Sequence, residues 1–72
     1  MEKNELKDRV NVCLNMATDL IGDEIEIVKG WTIINTYDDI IHLNNESGYE
    51  WAWDFKEIWR NAVDLITDYI TR

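Results

Sequence analysis

The sequence predicts an α+β fold, a small two-layer α-β-β-β(-β)-α sandwich in which an antiparallel meander carries both helices on one face. Three observations predict it: apolar residues recur at helical spacing near the start, alternate with polar residues in the middle, and return to helical spacing near the end. The chain has 72 residues, no proline and no linker or repeat, so residues 1–72 are predicted to form a single domain.

The first helix is predicted at about residues 4–21, because the apolar residues of this segment fall on one stripe. The stripe consists of Leu6, Val10, Cys13, Leu14, Ala17, Leu20 and Ile21. Gly22 suits the position after a helix, since glycine adopts a left-handed backbone without steric cost. Val12 and Met16 are apolar residues of this helix that lie off the stripe.

The central segment changes to the two-residue period of strands. Residues 24–28 alternate, Lys29 and Gly30 form a two-residue turn, and residues 31–37 are rich in β-branched and aromatic residues, which predicts a hairpin. A turn at Asp38 and Asp39 precedes a strand at residues 40–43, and a turn at residues 44–48 precedes another at residues 49–53. The pattern predicts an antiparallel meander of three or four strands.

The last helix has a clear predicted start. Asp54 is a good N-cap, Glu57 stands three residues later, and Trp53 can pack on Ile58 across the cap. The apolar face that follows predicts one helix running to the last residue, with Phe55, Ile58, Trp59, Ala62, Val63, Leu65, Ile66, Tyr69 and Ile70 on it.

The negative charge is concentrated in the segment that is predicted to form the sheet. Residues 23–54 hold eight carboxylates and one lysine, so they carry −7 of the formal net charge of −8. Such a chain is expected to be repelled by nucleic acid, whose binding requires Lys and Arg opposite phosphates. The expected partner is a basic protein surface, such as that of a nucleic-acid-binding protein.

The alternation of the last strand indicates which residues face outward. Tyr49, Trp51 and Trp53 point to one side, and Glu50 and Ala52 to the other. If the aromatic side meets the helices, the carboxylates face solvent; the alternative is an exposed aromatic binding stripe. The predicted partner-binding residues are Glu24, Glu26, Asp38, Asp39, Glu46 and Glu50. A solvated face that keeps a small protein soluble is the other interpretation of the same carboxylates.

Residues suited to catalysis are few. His42, Cys13 and Ser47 are each the only residue of their type. Cys13 lies on the apolar helix stripe and Ser47 in a predicted turn, so no nucleophile and base pair is indicated. His42 near the acidic turns lacks the paired-histidine spacing of zinc sites. No catalytic residue, metal site or cofactor is predicted, and an enzyme would need an active site of carboxylates and tyrosines.

The single cysteine and the first residues of the chain indicate the cellular compartment in which the protein is expected. Cys13 has no partner for an internal disulfide, which favours a reducing compartment. Residues 1–5 lack a basic stretch followed by an apolar run, and no apolar segment approaches about 18 residues, the length of a membrane span. A cytoplasmic protein without a membrane partner is predicted.

In size, charge and composition the chain resembles the small acidic inhibitors encoded by phages and mobile elements, including DNA-mimicking antirestriction proteins and some anti-CRISPR proteins. This resemblance implies a non-enzymatic module that blocks a basic site on a nucleic-acid-processing protein. The alternative is a structural or assembly protein that forms a homodimer through apolar helix surface, with Val12 and Met16 as its contacts.

Overall fold

The protein consists of one helix, a four-stranded sheet and two further helices, in a computed structural model that describes residues 2–72. The elements in chain order are α1 (Lys3–Asp19), β1 (Ile25–Val28), β2 (Trp31–Asn35), β3 (Ile40–Asn45), β4 (Glu50–Asp54), α2 (Phe55–Ile58) and α3 (Ala62–Thr71). The strands pair antiparallel in the order β1-β2-β3-β4. The predicted α+β fold and its meander are therefore confirmed, with four strands.

One face of the sheet is covered by helices. Ile33 and Leu43 lie opposite each other on neighbouring strands and are fully buried. α1 packs on β1 and β2, and α3 packs beside α1. The Tyr69 ring of α3 lies 4.9 Å from the ring of Trp51 and 5.2 Å from that of Trp53, measured between centroids. The predicted arrangement with the helices on one face is confirmed.

The first helix is shorter at its C-terminal end than the predicted range of residues 4–21. α1 ends at Asp19, with Leu20 as its C-cap, and the next residues turn toward the sheet. The turn is held by a 2.7 Å hydrogen bond from the Gly22 amide to the Asn35 carbonyl. Leu20 and Ile21 are therefore exposed, and their predicted place on the buried stripe is wrong.

The C-terminal segment is two helices where the sequence predicts one. The predicted N-cap is confirmed, since the Asp54 carboxylate accepts a 2.8 Å hydrogen bond from the Lys56 amide. The first of these helices, α2, ends at Ile58, and α3 begins at Ala62 after a short turn. α2 packs against β4 whereas α3 runs along α1, so the segment has to change direction between them. Trp59 falls in the break and is 63% exposed, so its predicted place on the apolar face is wrong.

Within residues 2–72, no helix combines the length and the apolar character that crossing a membrane requires.

Candidate functional site

The sheet face opposite the helices carries two of the predicted site residues. Glu26 on β1 and Glu50 on β4 belong to the same row of the sheet, with Thr32 and Asn44 between them. Three strand spacings separate the two glutamates, which is about 14 Å. Glu50 also pairs with the ring of His42, at 2.8 Å between Oε1 and Nδ1. This outer face is therefore acidic at its two edges and mostly uncharged between them.

Five carboxylates lie along one end of the sheet. In an antiparallel meander the start of β1, the β2–β3 turn and the end of β4 share an end, because successive connections lie at opposite ends of the sheet. Backbone hydrogen bonds fix this arrangement, from Gly22 to Asn35 and from the Phe55 amide to the Asp39 carbonyl at 2.9 Å. We call this group of carboxylates the acidic end: Asp23, Glu24, Asp38, Asp39 and Asp54.

The turn between β2 and β3 holds two of these carboxylates in a fixed conformation. The Asp39 amide donates to the Thr36 carbonyl at 3.0 Å, and the Thr36 amide donates to the Ile40 carbonyl at 3.0 Å. Asp39 has a φ of 57°, a left-handed conformation that aspartate tolerates better than most residues. The predicted turn at Asp38 and Asp39 is confirmed, and both carboxylates are exposed on it.

Three cations of the chain are engaged away from the acidic end. Lys3 and Lys7 of α1 form ion pairs with Asp68 and Asp64 of α3, at 3.6 Å and 3.1 Å. The guanidinium of Arg72 lies 4.4 Å from the centroid of the Tyr69 ring. Among residues 2–72, no ion pair involves a carboxylate of the acidic end. These two lysine–aspartate ion pairs lie within the helix layer and involve none of the carboxylates of the acidic end.

Glu46 lies at the other end of the sheet, apart from the remaining predicted residues. Its amide donates to the Gly30 carbonyl at 2.9 Å. Its carboxylate folds over Gly30, so that a Cβ at that position would be 3.1 Å from the Glu46 Cδ. The structure therefore brings Glu24, Asp38 and Asp39 together, leaves Glu26 and Glu50 at the edges of the outer face, and separates Glu46.

Three exposed apolar side chains adjoin the acidic end. Leu20, Ile21 and Tyr37 are 43%, 44% and 88% exposed. The Tyr37 ring lies against the turn that follows α1, with its hydroxyl 3.5 Å from the place of a Cβ at Gly22. Sequence reasoning missed these residues, and it also missed Asp23 and Asp54 as members of the acidic end. The signal that could have found all five is the meander itself, which predicts which turns share an end.

The aromatic residues of β4 lie toward the helices. Trp51 stacks on Trp31 at 5.7 Å between ring centroids, and both are partly buried against the core. Tyr49, which precedes the strand, stacks on Trp51 at 6.2 Å but is 66% exposed. Glu50 consequently projects from the outer face, while the tryptophans contribute to the packing of the two layers.

Groups with catalytic chemistry do not converge within residues 2–72, where no pocket is found and no three side chains of His, Cys, Asp or Glu are grouped as metal ligands. Cys13 is buried, and its thiol points to the Glu26 carbonyl at 3.8 Å. Burial raises the pKa of the Cys13 thiol, and the nearby positive charge of Arg9 offsets part of this effect.

Comparison of the chain with protein-family models, with curated proteins and with solved structures finds no match.

Proposed function

We propose that the protein is a non-enzymatic binding module that uses its acidic end and outer face to occupy a basic surface of a partner protein. The observation that carries this proposal is the grouping of five carboxylates at one end of the sheet, with no ion pair to any of them among residues 2–72. The carboxylates belong to separate segments joined by backbone hydrogen bonds, so their spacing is set before a partner arrives.

The chemistry of such a surface favours a partner that normally binds phosphates. Lysine and arginine side chains that contact nucleic acid present a positive potential, and a folded array of carboxylates is attracted to the same surface. Occupying it would block access of the nucleic acid. The proposal therefore extends to an inhibitor of a nucleic-acid-processing protein, of the kind that phages and mobile elements encode.

Affinity capture from a host lysate at increasing salt tests the proposal. The test variant combines Asp23→Lys, Glu24→Lys and Asp38→Lys, which leaves Asp39 in its left-handed turn and Asp54 as the cap of α2. The matched control combines Glu2→Lys, Glu5→Lys and Asp8→Lys, exposed carboxylates of the α1 segment outside the acidic end, and gives the same net charge.

The proposal predicts that the captured partner is lost with the test variant and at high salt, and is retained with the control. The isolated partner should also release bound DNA or RNA when the protein is added. Retention of the partner by the test variant contradicts the acidic mode of binding. Simultaneous binding of protein and nucleic acid contradicts the inhibitor role.

A second candidate function is self-association through α1. Val12 and Met16 are 52% and 43% exposed and lie one turn apart on α1. The helix that carries them packs on β1, an edge strand of the sheet. Sedimentation equilibrium tests it: a dimer that is lost with Met16→Lys supports self-association, and a monomer at high micromolar concentration excludes it.

A further inference from the structure

The acidic end carries apolar surface that the fold itself does not use. Leu20, Ile21 and Tyr37 are exposed where α1 ends and the β2–β3 turn begins, with the Tyr37 hydroxyl 3.5 Å from the place of a Cβ at Gly22, and we call them the end patch. Single exposed apolar residues are common on small proteins. Adjoining ones mark binding surfaces more often, because exposing contiguous apolar area to water is unfavourable.

The backbone holds the end patch in place. The Gly22 amide donates to the Asn35 carbonyl at 2.7 Å, and the Asp23 amide donates to the Leu20 carbonyl at 3.0 Å. Gly22 has a φ of 88°, a left-handed conformation that glycine adopts without strain, and this conformation forms the turn beside Tyr37. The patch is thus displayed by a hydrogen-bonded turn and does not depend on a flexible tail.

The charges around the patch select its occupant. Asp19 and Asp23 flank Leu20 and Ile21 in the chain, and Asp38 follows Tyr37. A second copy of the chain on this patch would bring the same carboxylates together, and an anionic lipid surface would be repelled. A segment with lysine or arginine beside an apolar side chain can pair its cations with the carboxylates and bury its apolar side chain against the end patch.

We propose that the end patch, together with the acidic end, docks a basic segment of the partner that presents an apolar side chain between its cations. This inference rests on the proposed function and names the chemistry of the partner at that site. The carboxylates attract and orient the segment, and Tyr37 with Ile21 holds its apolar side chain. Tyrosine suits this task because it offers a large contact area at low conformational cost.

Two synthetic peptides serve as probes: a helix-forming peptide with lysine on one face and leucine on the other, and the same peptide with serine in place of leucine. Binding is measured by calorimetry, and the contact surface by amide shifts in ¹H–¹⁵N spectra. The variant is Ile21→Ser with Tyr37→Ser. The matched control is Tyr49→Ser with Trp59→Ser, which removes two exposed apolar side chains outside the patch.

The lysine–leucine peptide should shift the amides of residues 20–23 and 36–39, and bind about tenfold or more weakly to the Ile21 and Tyr37 variant. The control variant should bind like the unaltered protein, and the lysine–serine peptide should bind weakly to all. Circular dichroism verifies that each variant is folded, as expected for changes at exposed positions.

Equal binding of the two peptides, or an unchanged affinity in the Ile21 and Tyr37 variant, overturns the docking site. If either of these results is accompanied by loss of peptide binding in the variant with Asp23, Glu24 and Asp38 changed to Lys, the proposed function stands, and only the apolar docking site is overturned. Binding that needs Tyr37 but ignores this charge reversal overturns the proposed function, and with it the basic character of the docked segment.

Discussion

The Nε–H of Arg9 donates a hydrogen bond to the backbone carbonyl of Ile27 across 2.8 Å, which ties α1 to an edge strand of the sheet. The pairing of β1 with β2 shifts register between Glu26 and Val28, so Ile27 has no residue opposite it. The Cys13 thiol contacts the neighbouring carbonyl of Glu26. Two carbonyls of an edge strand are thus occupied by helix side chains, which hinders pairing with a strand of another molecule.

Replacing Arg9 by Met should loosen this edge. The free energy of unfolding is expected to fall by about 1 kcal/mol, because the Ile27 carbonyl loses its charged donor. Urea denaturation measures the loss, and light scattering measures any association through β1. The control Lys3→Met removes the same charge from an exposed ion pair and should change stability by less than about 0.5 kcal/mol. Equal losses in the two variants would mean that the Arg9 bond contributes nothing specific.

Cys13 should react slowly with thiol reagents while the protein is folded. Burial raises its thiol pKa, so at a given pH a smaller fraction is thiolate, the reactive form. Ellman's reagent at pH 8 should react roughly tenfold or more slowly than with the urea-unfolded chain. Because the thiol pKa is higher in the folded state, the protein loses stability as the pH rises from the thiol pKa of the unfolded chain through the raised pKa of the folded state. Equal rates in the two states would contradict the buried position.

Two tryptophans should differ sharply in their effect on stability. Trp51 packs between Trp31 and Tyr69, so Trp51→Ala should lower the free energy of unfolding by about 3 kcal/mol. Trp59 is 63% exposed, and Trp59→Ala should change it by less than about 0.5 kcal/mol. Chemical denaturation followed by circular dichroism compares the pair. A larger loss for Trp59 would show that the segment between α2 and α3 packs differently.

Asn35 should be a position at which an apolar side chain stabilises the protein. It is 1% exposed on the helix-covered face, and its Oδ1 has no hydrogen-bond partner among residues 2–72. Asn35→Leu is expected to raise the free energy of unfolding by about 1 kcal/mol, because the unpaired oxygen is removed from the core. Thermal denaturation measures the change.

Asn35→Asp is the matched comparison, since it keeps the shape and adds a buried charge. It should destabilise the protein near neutral pH and recover part of the loss as the pH falls and the carboxyl is protonated. A destabilised Asn35→Leu would indicate that the site requires a polar group.

Hydrophobic periodicity predicts the sheet well, because each strand has one buried face and one open face. Ile33 and Leu43 illustrate this, since they alternate with polar or half-buried neighbours along their strands. The alternation predicts that Trp51 and Trp53 share a face, and the structure shows that this face, rather than an exposed aromatic stripe, packs against the core. All three turns between strands follow from local chemistry, with a glycine at positive φ in two of them and an aspartate in the third.

The break between α2 and α3 was not predictable from the sequence pattern. The apolar spacing continues across it, and no glycine or proline marks it. The change of direction is imposed by packing first on β4 and then along α1. A weaker local signal does exist: Asn61 stands before Ala62, and Asp64 lies in the first turn of α3, a pattern typical of helix starts. For the candidate site, composition identifies the acidic segment, but only the strand order reveals which carboxylates share an end.

The acidic end is assembled from parts of the chain that begin near residues 23, 38 and 54. An unfolded chain would scatter these carboxylates, so a partner that recognises their arrangement binds the folded state alone. Binding then draws the unfolding equilibrium toward the folded form, by about 2.7 kcal/mol when the partner is present at a hundred times its dissociation constant. For a domain of this size, that gain is a large fraction of the free energy of unfolding of the unbound protein. The partner would in this way protect the bound protein from proteolysis, and its cellular lifetime would follow the abundance of its target.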